Sequence, residues 1–249
     1  MKSKPAVKNL LVLALSLLAL FLPAVSQADW EHPGGFLDPS YNWGGPGTTV
    51  TYSFATTNYA ISHSNSASGF IEAIPESWKS AITGAFNEWS SACGLNFTEI
   101  ADSGTDWNAD DATGDIRIGI TTMSNAGTIA YAFYPTGPSG AGDIHFGDSW
   151  DWYTDSGTPD PTQTDLFSIA LHEIGHAIGI GHYLDDPTSV MYPYYSAGET
   201  KRDLTPEVIA VAQTQYGASS ATPEPGTMML FLLCLGSSYF MSPGTNERS

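Results

Sequence analysis

Apolar residues recur along this chain in two periods, and the points where the period changes mark its elements. In "TTVTYSF", Val50, Tyr52 and Phe54 alternate with Thr and Ser, which predicts a half-buried strand. From Glu76 to Cys93 the period lengthens. Trp78, Ile82, Ala85, Phe86 and Trp89 recur at helical spacing, with Pro75 ahead and Gly94 just beyond. "LNFTEI" and "DIRIGI" predict two more strands, separated by the polar loop "ADSGTDWNADDATG"; "TIAYAFYP" and "GDIHFG" predict two short ones. A second helix carries Leu166, Ile169, Ala170, Ile174, Ala177 and Ile178 as its buried stripe, with Thr162 and Asp165 spaced as a capping box. The last helix follows "DLTPEVIAVAQTQYG", with Thr205 as N-cap, Pro206 at the first helical position and Gly217 past the end. Strands with interspersed helices predict one mixed α/β domain over residues 29–217.

Both ends break this pattern. Residues 1–28 join a basic start, an apolar run from Leu10 to Leu22 and the small residues Ser26 and Ala28, the build of a signal peptide cut by signal peptidase after Ala28. The apolar run is too short to span a bilayer comfortably. After Gly217 the composition shifts again, and residues 218–249 read as a linker and tail.

Charge narrows the partners. The chain has 8 basic and 26 acidic residues, and three of the basic ones, Lys2, Lys4 and Lys8, lie in the leader. Such a surface repels nucleic acid and anionic lipid, because binding phosphates needs clustered Lys and Arg. Only two cysteines occur, Cys93 and Cys234, so no disulfide framework is implied.

Histidine is equally sparse, yet three of the six fall in "LHEIGHAIGIGH". Four residues of α-helix advance roughly 400°, which puts His172 and His176 about 40° apart and one turn up, both within reach of one ion. The same geometry turns them off the apolar stripe and toward a cleft. Glu173 borders the site without needing to ligate. Gly179 can take positive φ, stop the helix and let His182 approach from another direction. Three neutral imidazoles with one open position make a catalytic rather than a structural zinc site. Zinc brings the pKa of bound water near 7, and Glu173 is placed to take the proton as that water attacks a carbonyl.

The pattern His-Glu-x-x-His-x-x-Gly-x-x-His, followed by Met191 in "SVMYPYY", resembles the signature of the metzincin metallopeptidases, in which the methionine turn lies beneath the ion. The resemblance implies a metzincin fold. Its parts are a twisted, mostly parallel five-stranded sheet, two long helices with the active-site helix under the cleft, and a C-terminal helix. Within that clan the chain is most similar to the matrixins. "YNWGGPGTTVTYSF" looks like their opening strand, "AITGAFNEWSSACGLNFTEI" like their first helix and second strand, "GDIRIGI" like the third strand and "LTPEVIAVAQTQYG" like the closing helix. By this resemblance an extended peptide would pair with the edge strand at Ile129 and Ala130. Pro193 through Tyr195 would wall the main side-chain pocket. The implied activity is that of a zinc endopeptidase acting as a monomer on exported or envelope proteins.

The chain also departs from that family. Matrixins usually hold a second, structural zinc through a His-x-Asp pair and two later histidines; here only His145 matches, Tyr131 stands at another ligand position, and no structural zinc is expected. Asp143, Asp148 and Asp151 offer the oxygen ligands calcium takes, but Gly147 occupies a position where aspartate is usual, and a solvated acidic loop is the competing reading. Tyr183 replaces the serine that usually follows the third histidine. No cysteine lies between Ala28 and Cys93, so latency by a thiol on zinc is not expected.

In the tail, Pro223-Glu224-Pro225, an apolar stretch from Met228 to Met241 and the terminal cation Arg248 resemble a PEP-CTERM sorting signal. Such signals are read by an exosortase in Gram-negative bacteria that make extracellular polysaccharide. The competing function is an exported surface or biofilm-matrix protein with a structural or vestigial zinc site. Glu173 separates the two, since a dead site has no need of a general base.

Overall fold

The computed structural model describes residues 26–27, 39–56, 69–105, 114–135 and 141–219. The chain divides into two compact units, Met1–Ser219 and Ser220–Ser249, and every described residue belongs to the first. The sorting-signal reading of the tail lies outside the described residues. So does the leader, except for a two-residue strand.

That strand is β1 (Ser26–Gln27). It is followed by β2 (Thr49–Phe54), helix α1 (Glu76–Ala92), β3 (Asn96–Glu99), β4 (Ile116–Thr121), β5 (Ala130–Ala132) and β6 (Ile144–Gly147). Then come β7 (Trp152–Tyr153), β8 (Thr164–Asp165), α2 (Leu166–Ala177), β9 (Tyr194–Tyr195) and α3 (Pro206–Tyr216). Five strands form one sheet in the order β3-β2-β4-β6-β5, parallel throughout except for β5, which runs antiparallel to β6 at the edge. This is the mostly parallel five-stranded sheet of the matrixin fold. Pairing of β1 with β9 and of β7 with β8 makes two small extra sheets.

Parallel strands are covered on both faces, and β4 is buried along its whole length. Ile116, Ile118 and Ile120 join Ile144 and Phe146 in the main core, with Ile82, Phe86 and Trp89 of α1. The other face of β4 carries Arg117, which is 1% exposed and paired with Asp102 at 2.9 Å. That pair and the Thr56–Asp102 bond pin residues 101–105 over the sheet. The half-buried alternation expected for β2 therefore holds only at its start; from Tyr52 onward both faces are covered.

Helix α1 packs on α2, and the indole Nε1–H of Trp89 donates to the Leu171 carbonyl at 2.9 Å. The N-terminus of α2 differs from expectation. Asp165, not Thr162, is the N-cap: its Oδ2 accepts from the Ser168 N–H at 3.0 Å and the Ser168 hydroxyl at 2.6 Å. Thr164 and Asp165 pair with β7, so the chain turns into helix three residues later than a cap at Thr162 requires. Helix α3 has Pro206 at its start and Gly217 at φ 73°, as expected, but Thr205 makes no side-chain cap. Among the described residues no helix is long and apolar enough to cross a membrane.

Candidate metal centre

Helix α2 is buried all round rather than along one stripe. His172 and His176 are each 3% exposed and Glu173 is 0% exposed. The expected turn of the two histidines away from the apolar stripe therefore leads into a covered site rather than to open solvent. The helix ends as predicted: Gly179 has φ 89°, its N–H donates to the His176 carbonyl at 2.8 Å, and the Ile180 N–H donates to the Gly175 carbonyl at 2.9 Å. These are the two bonds of a Schellman ending. The remaining terminal carbonyls are taken by Trp43 Nε1, donating to Ala177 at 2.8 Å, and by the Tyr216 hydroxyl, donating to Ile178 at 2.6 Å. A helix end fixed by its own turn and by two distant segments gives the chain beyond it one direction, which brings His182 back over the helix.

The three imidazoles converge. His176 Nε2 lies 3.0 Å from His172 Nε2 and 3.1 Å from His182 Nε2. Each of the helix histidines is oriented through its other nitrogen: His172 Nδ1 lies 2.6 Å from the Val190 carbonyl, and His176 Nδ1 lies 2.7 Å from the Ile180 carbonyl. A carbonyl can only accept, so both Nδ1 atoms carry the proton, and in a neutral ring Nε2 is left as a lone-pair donor. Burial, and then the charge of His182, pulls His172 down to about 3, which keeps it neutral at physiological pH. Lone pairs this close repel one another unless a cation lies between them. A tetrahedral zinc with bonds of about 2.0–2.1 Å would set such nitrogens about 3.3 Å apart, so the donor set and spacing fit zinc. Among the described residues this trio is the cluster whose ligand atoms all lie within 4.8 Å of one another.

Met191 lies beneath the helix, fully buried. A Cβ on Gly175 would come within 2.5 Å of its sulfur and 3.0 Å of Trp89, so the helix can settle on the methionine only because residue 175 has no side chain. Pro193 and Tyr195 are buried beside it, while Tyr194 is 41% exposed on β9. The edge strand resolves the pair Ile129 and Ala130. The Ile129 carbonyl accepts from the Gly147 N–H at 2.9 Å and the Phe133 N–H donates to Asp143, so odd positions face β6. By alternation the backbone groups of Ala130 and Ala132 face the open edge.

The calcium candidates are not brought together. Asp143 is 3% exposed, its Oδ1 accepts from the Arg117 N–H at 2.8 Å, and burial pushes its carboxyl up to about 8. Asp148 and Asp151 are exposed elsewhere, and Asp148 accepts from Thr122 at 2.7 Å. His145 is a core residue at 0% exposure. Its ring lies 4.5 Å from those of both Phe70 and Tyr131, and burial lowers it to about 3. Cys93 is buried, and burial raises its thiol.

Sequence reasoning missed a polar network behind the wall. Arg202 reaches Asp165 with Nε at 2.9 Å and with Nη2, and Lys201 donates its backbone N–H to Ser168 Oγ at 2.7 Å. The signal available was the dipeptide itself, the one adjacent basic pair in the chain. Tyr134 was missed as well; its hydroxyl is 3.4 Å from His176 Nδ1 and its ring meets that histidine edge-on.

A helix bearing two histidines and a glutamate, a third histidine delivered by a glycine turn and a methionine beneath them define a metzincin-type metal centre. The family profile described as matrixin, peptidase family M10, matches residues 46–217. The chain belongs to the matrixin family, and membership carries with it a zinc requirement. It is similar to human matrix metalloproteinase-17, 40% identical over 111 residues that cover 45% of this chain and 18% of that protein. It is 36% identical to metalloendoproteinase 2-MMP of Arabidopsis thaliana over 157 residues, 59% of this chain and 39% of that protein. With rat macrophage metalloelastase the identity is 36% over 141 residues, 56% of this chain and 29% of that protein. The matched stretch is thus well under two thirds of each relative's length.

Proposed function

We propose that this protein is an exported zinc endopeptidase that hydrolyses peptide bonds in extracellular or envelope proteins. The observation that carries the reading is that His176 Nε2 lies 3.0 Å from His172 Nε2 and 3.1 Å from His182 Nε2, with a buried glutamate directly after the first histidine. When bound, zinc supplies Lewis-acid polarisation of the scissile carbonyl and makes water a nucleophile near neutral pH. His172, His176 and His182 hold it. Glu173 takes the proton from the attacking water and passes it to the leaving amine. The edge backbone of Ala130 and Ala132 receives the peptide as an added strand, and Pro193–Tyr195 flanks its side chain. A wall able to accept extended chain is consistent with the antiparallel pairing of Ser26–Gln27 onto Tyr194–Tyr195. Export rests on the basic and apolar leader, and retention near the cell surface on the PEP-type tail.

The test is digestion of an unbiased peptide library with and without chelator, with Glu173→Ala as control. Cleavage should vanish with chelator, return with zinc and be absent in the variant, which still binds zinc. A variant retaining most of the rate would remove Glu173 from the mechanism. Absence of cleavage by the zinc-loaded wild type would favour a matrix protein with a vestigial site.

A further inference from the structure

Of the three candidate ligands, His176 holds the central place, its Nε2 lying 3.0 Å from that of His172 and 3.1 Å from that of His182. Its other nitrogen donates to the Ile180 carbonyl at 2.7 Å, four residues further along the chain. One such bond fixes the tautomer, yet a planar ring can still rock about it. Rocking displaces Nε2, the atom that must meet an ion. A contact on the ring itself removes that freedom.

That contact comes from 42 residues away. Tyr134, half-buried two residues beyond β5, meets the His176 imidazole edge-on, with ring centroids 5.6 Å apart and planes at 64°. Its hydroxyl lies 3.4 Å from Nδ1, too long to rival the Ile180 carbonyl, so the ring rather than the hydroxyl does the holding. Tyr134 is itself backed by Tyr41, whose ring stacks on it at 5.2 Å and 28°. Tyr41 is anchored in turn, its carbonyl accepting from Gln215 Nε2 of α3 at 2.6 Å, while Trp43 two residues on donates to the Ala177 carbonyl at the end of α2. The row Tyr41–Tyr134–His176 thus joins the segment ahead of β2, the chain leaving the edge strand and the metal centre. Neither tyrosine belongs to the main core, so their contacts act on the imidazole more than on the fold.

We infer that Tyr134, backed by Tyr41, is a positioning residue for the central metal ligand: its ring holds the His176 imidazole with Nε2 turned toward the other two. The inference rests on the zinc centre described above. Contacts around metal-ligating histidines change metal affinity by about 10–100-fold. One made without a short hydrogen bond belongs at the lower end of that range.

The experiment measures zinc affinity by competition with a chromogenic chelator. It compares the wild type with Tyr134→Leu, Tyr134→Phe, Tyr41→Leu and the double variant Tyr41→Leu/Tyr134→Leu. Visible spectra of the cobalt(II)-loaded proteins report ligand geometry, and thermal melts of the metal-free proteins report the fold. Tyr134→Leu should bind zinc about tenfold more weakly and shift the cobalt bands. Tyr134→Phe, which keeps the ring, should match the wild type in both. Tyr41→Leu should fall between, and the double variant should be no weaker than Tyr134→Leu alone, because the two act in series. The metal-free melts should stay together. Wild-type zinc affinity and cobalt bands in Tyr134→Leu would overturn the inference, as would a loss in Tyr134→Phe equal to that in Tyr134→Leu. If Tyr134→Leu does not fold, Tyr41→Leu decides by the same two readouts, and values equal to the wild type overturn the inference. A wild type that takes up neither zinc nor cobalt would bring down the metal centre itself, and this inference with it.

Discussion

Gly179→Ala tests the link between the helix ending and the metal centre. Alanine at the φ of 89° found here lies in the left-handed region, which disfavours it by roughly 1–2 kcal/mol. A Cβ at this position would also fall inside the contact distance of the Tyr41 carbonyl oxygen, which must move away. That oxygen is held by Gln215 Nε2 at 2.6 Å, and losing the bond removes about 0.5–1.5 kcal/mol more. The total, about 2–3 kcal/mol, should lower the thermal midpoint by about 4–12 °C for a domain of this size. The functional consequence is separate. Gly179 begins the turn that returns His182 to the helix, so the zinc-loaded protein should lose more than the zinc-free one. A tenfold drop in zinc affinity would narrow the gap between the two forms by about 1.4 kcal/mol. Thermal melts with and without zinc read both effects, with Gly45→Ala as control because a Cβ there meets nothing within 4 Å. The reasoning fails if Gly179→Ala melts with the control and keeps the full zinc-dependent gap.

His182→Ala should strip the site of its third ligand; unchanged zinc content by elemental analysis after dialysis would remove it from the coordination sphere. Asp165→Ala removes the N-cap of α2 and leaves Arg202 facing a protein wall, and should destabilise by about 3 kcal/mol in urea unfolding. A change under 1 kcal/mol would show that water replaces the carboxylate. His145 titrates near 3 when folded against 6.5 ordinarily, so between those values the unfolded chain binds the extra proton and stability falls as pH drops. His145→Phe should therefore lose less stability than wild type from pH 6.5 to 4, the curves separating by up to about 1.4 kcal/mol per pH unit. Asp143, raised to about 8, acts in the opposite direction, gaining stability as pH falls from 8 toward 3.8, but it is present in both proteins and cancels. Parallel curves would show that His145 is not buried neutral.

What could be read from the chain was whatever local geometry dictates. The one-turn spacing of His172 and His176, the stop at Gly179 and the strands of the sheet depend on neighbours a few residues away. The parts that could not be read depend on partners far along the chain. Thr162 and Asp165 are both good caps; Asp165 is the cap in a structure where Arg202, 37 residues later, meets its carboxylate. Asp143 reads as a solvated acid until β6 is paired with β4, which carries it onto the Arg117 backbone in a covered layer. Ile129 and Ala130 look equivalent until the register with β6 assigns the inward carbonyl to Ile129. Lys201 in a polar loop reads as surface, and its burial follows from the bond of its backbone to Ser168.

The edge strand shows how such long-range partners serve the site. β5 is only three residues long, yet it must stay flat and fixed if its open edge is to bind a peptide. Its central residue, Tyr131, is the register partner of His145 on β6, and the two rings lie 4.5 Å apart and within 8° of parallel. Phe70 closes the other side of the imidazole at 4.5 Å, and Phe133 meets it edge-on at 5.7 Å. Tyr131 and His145 are positions where the matrixin resemblance places ligands of a second zinc. Here the cross-strand pair is held instead by aromatic packing, which works only while the imidazole is uncharged, since a buried imidazolium would have to draw water or a counter-ion into the stack. Depressing His145 to about 3 keeps it uncharged from neutral pH down through mild acid. The edge strand thereby stays pinned to β6 by a device that a chelator does not remove, whereas a metal held by His172, His176 and His182 is open to one.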